Sequence, residues 1–185
     1  MCGPMVRATM AGAKTNTRRV VRTDHSRTVL YFNESDALPQ GAGWYEFKGG
    51  CWSYLRCPYG VPGDRLWVRE TLWRNGGYVA DGPSKVKNDG KVPAIFMPRW
   101  DGRITLEVTA VRVERLQDIS EEDARAEGIE PRHNAKWPNG DPGYMHDVAR
   151  RTFASGWDSI NGKRAPWASN PWVWVVTFKR LELAA

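Results

Sequence analysis

The strongest constraint on the fold is the segment 103–116, Arg-Ile-Thr-Leu-Glu-Val-Thr-Ala-Val-Arg-Val-Glu-Arg-Leu. Apolar residues at Ile104, Leu106 and Val108 alternate with polar ones, the period of a half-buried strand. The alternation resumes at Val111 and Val113, one position out of phase. A slip near Thr109 and Ala110 marks a bulge or bend of the sort that closes small barrels. A second long strand is expected at 172–181, apolar on both faces at its start, as a barrel strand covered on its outside would be. Between the two, 120–129 reads as a short helix. Ser120 is its N-cap, Asp123 stands in the capping-box position, acids fill the first turn and Gly128 closes it. Glu127 is the odd acid. It falls in the last turn, where the helix dipole disfavours negative charge, so it is either an ordinary surface Glu or the partner of a cation such as Lys14.

The N-terminal segment 4–10 reads as one helix, opened by Pro4 and closed by Gly12 in a left-handed cap. Beyond the cap come Lys14, Thr15, Asn16, Thr17, Arg18 and Arg19. A single cation after a helix C-terminus needs no explanation beyond the dipole. Three cations interleaved with two hydroxyls and an amide fit a phosphate or a polar base edge as well as they fit a solvated basic turn.

The remaining segments are shorter. Strands are expected at 20–21, 28–32, 44–47 and 51–57, and a tight Pro-Gly-Asp turn at 62–64 leads into a strand over 65–71. Arg69 and Glu70 would point to opposite faces of that strand, with Trp67 before them, so the pair reads either as one side chain turned into a cavity or as a surface Arg with a solvated Glu. Residues 74–92 read as loop, 94–97 as a short apolar strand, and 130–142 as loop again. A helix over 143–156 would place Met145, Val148, Ala149, Thr152 and Phe153 on one face, followed by a polar loop over 157–164.

With 185 residues the chain suits one domain carrying insertions near 22–58, 74–93 and 130–142. A net charge of +6 favours an anionic partner, and ten tryptophans exceed what packing needs and offer flat walls for a nucleobase. Three cysteines argue against a disulfide framework. Cys51, Cys57 and His25 have no compact ligand spacing, so no metal is expected. No apolar stretch is long enough to span a bilayer, and the first residues lack the pattern of a signal peptide. The expectation is a cytoplasmic protein with no membrane contact.

Gly12-x-Lys14-x-x-Thr17-x-Arg19 resembles the signature of the ASCH domains, a branch of the PUA-like β-barrel superfamily, usually written Gly-x-Lys-x-x-Glu-x-Arg; Thr17 departs from it. The turn at Gly63 and Asp64, the long strand, the 120–129 helix and the closing strand fall in the order such domains use. Lys14-Thr15-Asn16-Thr17 is also similar to the Lys-Thr-x-Thr of the small bacterial N4-acetylcytidine amidohydrolases. The segments 62–70, 112–128 and 157–162 resemble longer ASCH-type proteins of tailed phages and prophages. Relatives usually carry a strand before the first helix, so one barrel strand is expected to be shortened or missing.

The resemblance implies an α+β fold, a small mixed PUA-like (ASCH) β-barrel with two or three helices and long loop insertions. It implies a catalytic set of Lys14, Thr17 and Glu127, and no cofactor. Thr17 would be the nucleophile or would position water, Lys14 a base whose pKa Arg18 and Arg19 depress, and Glu127 a proton relay or a grip on the base edge. Arg19 or Arg69 would hold an oxygen of the base, and Thr15, Asn16, Arg18, Trp67 and Glu70 would complete the substrate site. The substrate would be an N4-acylated cytidine. The competing reading is a binding module for a modified base or nucleic acid, RNA ahead of DNA, without chemistry. A third, a metal-dependent nuclease, would need Asp64, Glu70 and Glu127 to meet through folding.

Overall fold

A computed structural model of the chain describes residues 3–22, 29–33, 43–48, 51–84, 90–129 and 148–182. The long strand of the sequence is β8, Thr105–Arg115, and it lies against the closing strand β9, Trp172–Leu181. Each has one further antiparallel neighbour: β9 pairs with β1, Asn16–Val20, and β8 with β5, Arg65–Trp67. The sheet of order β1-β9-β8-β5 curls into a half-barrel with β1 and β5 at its edges, within a mixed α+β fold.

The phase slip is a bulge. Val108 faces Phe178 and Ala110 faces Thr177, leaving Thr109 without a partner on β9. Before the bulge the even-numbered Leu106 joins a core with Val6, Ile104 and Phe178, and the buried Val108 stands opposite Phe178 in register. After it the odd-numbered Val113 joins Val21, Leu30 and Trp174. One extra residue therefore keeps a single face of the sheet apolar along its length while the parity of β8 changes. The opposite face carries Val173 and Val175, packed under the helices with Leu116, Phe153 and Trp157.

Among the described residues three helices accompany the sheets: α1, Gly3–Met10; α2, Glu121–Ala126; and α3, Val148–Asn161. Gly12 adopts φ 74° after α1, the left-handed cap expected there. Ser120 Oγ accepts from the Asp123 N–H at 3.0 Å, and Gly128 ends α2 with φ 82°. Glu121 of α2 accepts from the backbone N–H groups of Ala149 and Arg150, both at 3.0 Å, and so caps the start of α3. Among the described residues no helix is long and apolar enough to cross a membrane.

Several expectations need correction. The helix expected to end at residue 156 continues to Asn161, because Ala149, Phe153 and Trp157 repeat every four residues and carry the buried stripe past Gly156. Trp157 anchors that end by donating its indole N–H to the Ala165 carbonyl at 2.7 Å. Its expected start at residue 143, the residue Met145 and the loop 130–142 lie outside the described residues, as does His25. The apolar run 94–97 is no strand: Ala94–Phe96 forms a 3-10 turn between Pro93 and Pro98. The ribbon partner there is β7, Lys91–Val92, which pairs with β6, Leu72–Trp73, inside the stretch expected to be loop. The strand expected over 51–57 is β4, Cys51–Tyr54, the last of a meander with β2, Val29–Asn33, and β3, Gly43–Lys48. The strand expected over 65–71 stops at Trp67.

Gly128 is also where α1 and the chain before β1 come closest to α2. A Cβ there would lie 2.9 Å from Ala8 Cβ and 3.1 Å from Lys14 Cβ, whereas one on Gly12 would meet nothing within 4 Å. Gly12→Ala is expected to cost only the left-handed backbone strain, about 1 kcal/mol. Gly128→Ala adds a steric clash and should cost about 3 kcal/mol. Urea denaturation of both variants checks this; equal losses would show that the α1–α2 contact yields without cost.

Candidate functional site

Strand alternation decides what the basic stretch does. Its residues 16–19 are not a loop but most of β1, and Lys14 forms an isolated antiparallel bridge with Glu127 just before it. Across the bridge the Thr15 N–H donates to the Ala126 carbonyl at 2.8 Å, and the Lys14 N–H is tied back to the Ala8 carbonyl of α1 at 3.0 Å. Lys14, Asn16 and Arg18 are consequently buried, 5%, 4% and 2% exposed, while Thr15 and Arg19 face solvent and Thr17 is half-buried.

The Lys14 ammonium has three hydrogens, and three acceptors surround it: Glu127 Oε2 at 2.6 Å, the Glu127 carbonyl at 2.8 Å and the Asn16 carbonyl at 2.8 Å. Arg18 donates Nε and Nη2 to Glu114 Oε1 at 2.9 and 2.6 Å, and Nη2 also to Asp123 Oδ2. Arg112 reaches the same Asp123 oxygen and holds Glu114 Oε2 at 3.1 Å. Arg18 and Arg112 flank Val175 across the sheet because both are paired with it in register. Three cations thus meet three carboxylates. The cluster is neutral within itself and presents no net charge to a phosphate.

Its hydrogen bonding is incomplete in one place. Asn16 Oδ1, Arg18 Nη1 and Glu127 Oε1 are buried without a hydrogen-bond partner, although Arg18 Nη1 and Glu127 Oε1 stand only 3.5 Å apart. Two acceptors and one donor are left unused among groups that otherwise make short, charge-assisted bonds. Burial is the main influence on Lys14 and pushes its pKa below the ordinary lysine value, against the pull of Glu127; Arg19 and Arg18 add to the lowering. A cavity of about 480 Å³, bordered by Met5, Ala8, Ala13, Gly128 and Ile129, lies against the backbone that carries Lys14 and Glu127.

The other residues expected in the site lie elsewhere. Thr17 Oγ1 accepts from Arg19 Nη1 at 2.8 Å, on the face of β1 away from Lys14. Trp67 ends β5 and Arg69 and Glu70 follow it, at the opposite edge of the sheet. Glu70 is buried, held by Arg103 through Nε at 3.0 Å and Nη2 at 2.9 Å, with the same guanidinium reaching Asp81 and covering the Tyr78 ring. Arg69 is exposed and donates to the Ile95 carbonyl at 3.1 Å. Asp64 caps its own turn by accepting from the Val61 N–H. Asp64, Glu70 and Glu127 therefore do not meet. Among the described residues no group of His, Cys, Asp or Glu is arranged to hold a metal ion.

Sequence reasoning singled out neither Glu114 nor Arg112 and saw Asp123 only as a helix cap. The available signal was the phase slip: past it, 112 and 114 fall on the face opposite Val111 and Val113, an ionic pair where β8 passes under the helices. No family model, curated protein or solved structure matches the chain.

Removing one partner of a buried pair strands the other. Lys14→Met should cost about 3–5 kcal/mol, and Lys14→Met combined with Glu127→Leu should recover most of it, as denaturant midpoints would reveal. The folded chain releases the Lys14 proton more readily than the unfolded one, so wild-type stability should gain as pH rises from the folded Lys14 value toward the ordinary lysine range. The double variant should lack that gain in melting temperature.

Proposed function

We propose that the chain is an amidohydrolase removing the acyl group from the exocyclic amine of an N4-acylated cytidine, on a PUA-like barrel of the ASCH type. The supporting observation is the unpartnered pair Glu127 Oε1 and Arg18 Nη1, 3.5 Å apart beside a lysine of lowered pKa. Amide hydrolysis needs a proton acceptor for water, a donor for the developing oxyanion and an acid for the leaving amine. In this reading Glu127 Oε1 takes a proton as water oxygen bonds to the acyl carbon. Arg18 Nη1 faces the carbonyl oxygen as it gains charge. The carbon–nitrogen bond then breaks as Lys14 Nζ protonates the exocyclic nitrogen, and Glu127 returns its proton to Lys14 across their 2.6 Å contact. The products are the carboxylic acid and the free cytidine. The neighbouring cavity of about 480 Å³, lined by Ala13 and Gly128 and not by Lys14, Arg18 or Glu127 themselves, has the volume of an ordinary small-molecule site.

Thr17 takes the nucleophile's part in the family resemblance. Here its hydroxyl would have to leave Arg19 and change faces, so water is the nucleophile in the reading this geometry favours. A second reading, a modified-base binding module without turnover, is favoured by the Lys14 ammonium having all three hydrogens engaged. It predicts retention of the acylated base with no product.

Incubation with N4-acetylcytidine, followed by chromatography, separates the two. Release of cytidine is expected, slowed about 100- to 10,000-fold in Glu127→Gln and only modestly in Thr17→Val. Full activity in Glu127→Gln removes the proposed base. Loss in Thr17→Val restores the hydroxyl as nucleophile, and no release from any acylated cytidine leaves the binding reading.

A further inference from the structure

The 3-10 turns Ala94–Phe96 and Arg99–Asp101 lie beside β5, at the sheet edge opposite the Lys14 cluster. They expose large apolar side chains to an unusual degree: Trp100 is 86% exposed, Phe96 72% and Ile95 68%. Scattered exposed hydrophobes need no explanation, but these three stand on two consecutive turns, interleaved with guanidinium groups. Arg69 and Arg99 place their Cζ atoms 5.0 and 5.2 Å from the centroid of the Trp67 ring. The β6–β7 ribbon, tied to the second turn by the Tyr78 hydroxyl on the Asp101 carbonyl at 2.9 Å, repeats the pairing with Lys91 5.4 Å from Trp73. Among the described residues no carboxylate pairs with Arg99 or Lys91, whereas Arg103, nearer the core, is fully matched by Glu70 and Asp81.

We infer that this edge is a docking surface for single-stranded nucleic acid. Its exposed rings, Phe96 and Trp100, offer faces on which unstacked bases can lie, and the cations stacked on the neighbouring Trp67 and Trp73 rings stand on the same surface to meet phosphates. A protein partner would be served by the apolar groups alone and would leave Arg99 and Lys91 without a role. Duplexes hide their base faces, so the surface should prefer single strands. The inference is independent of the reading of the Lys14 cluster, because none of these side chains touches it.

Fluorescence anisotropy with labelled oligonucleotides of one sequence, single-stranded and duplex, tests it on the intact chain. The single strand should bind more tightly than the duplex and weaken with salt. Phe96→Ala with Trp100→Ala should lower that affinity about tenfold or more, and Arg99→Ala should flatten the salt dependence by about one unit of slope. All three residues are at the surface, so melting temperatures should stay at the wild-type value, and hydrolysis of free N4-acetylcytidine, where present, should be unchanged. Glu127→Gln should leave oligonucleotide binding intact. No binding of single strands at low salt, or equal affinity in the double variant, overturns the inference. So does sedimentation showing a wild-type dimer that the double variant dissolves, since the patch would then be an interface between copies.

Discussion

The structure depends on keeping two cations, Lys14 and Arg18, out of water on an edge strand. An unpaired buried ammonium or guanidinium is ruinously unfavourable, so β1 can join the sheet in this register only if carboxylates from other elements arrive to meet it. They come from two directions: Glu114 from β8, and Asp123 and Glu127 from α2. The cluster therefore joins the N-terminal segment, the longest strand and a helix that otherwise share few apolar contacts with β1. Its directional, charge-assisted bonds also make the arrangement specific in a way that apolar packing is not.

The same solution recurs at the other edge of the sheet. Glu70 is buried beyond β5, and Arg103 reaches it through Nε and Nη2 while Asp81 accepts hydrogen bonds on the outer side of the same guanidinium. There one guanidinium serves two carboxylates, and neither Glu70 nor Arg103 has a buried polar atom without a hydrogen-bond partner. At the Lys14 cluster three polar atoms are left over. The difference between a saturated and an unsaturated ionic cluster distinguishes the two ends of one sheet. It is the reason to look for chemistry at the first and for support at the second.

Much of the scaffold is legible in the sequence because short-range rules govern it. The bulge in β8 follows from a phase slip in alternation, Ser120 and Gly128 follow from capping, and the contact of Glu127 with a cation follows from its position against the helix dipole. What is not legible depends on knowing first that a segment is a strand. Read as a loop, Lys14, Asn16 and Arg18 are three polar groups free to reach any ligand. Placed at alternate positions of the bridge and strand that run from Lys14 into β1, they turn together into the interior, and Thr17 and Arg19 turn away from them. The length of α3 was hidden by local turn formers such as Asp158 and Ser159, which the buried spacing of Phe153 and Trp157 overrides. The 94–97 run looks like a strand because apolar residues usually seek burial, and here only Met97 finds it while Ile95 and Phe96 stay exposed.

Thr109 has a larger part in this than its exposed, unpaired position suggests. With it present, Val111 and Val113 continue the apolar side of β8 and Arg112 and Glu114 fall beneath the helices. Were it absent, the frame of the strand beyond would invert. Two aliphatic side chains would meet the charged end of α2, and an arginine and a glutamate would be driven against Trp174. The surface loops can lengthen or shorten with little effect on which side of the sheet carries charge. Between Val108 and Ala110 the count of residues is itself the information, and a change of one there would turn the molecule inside out.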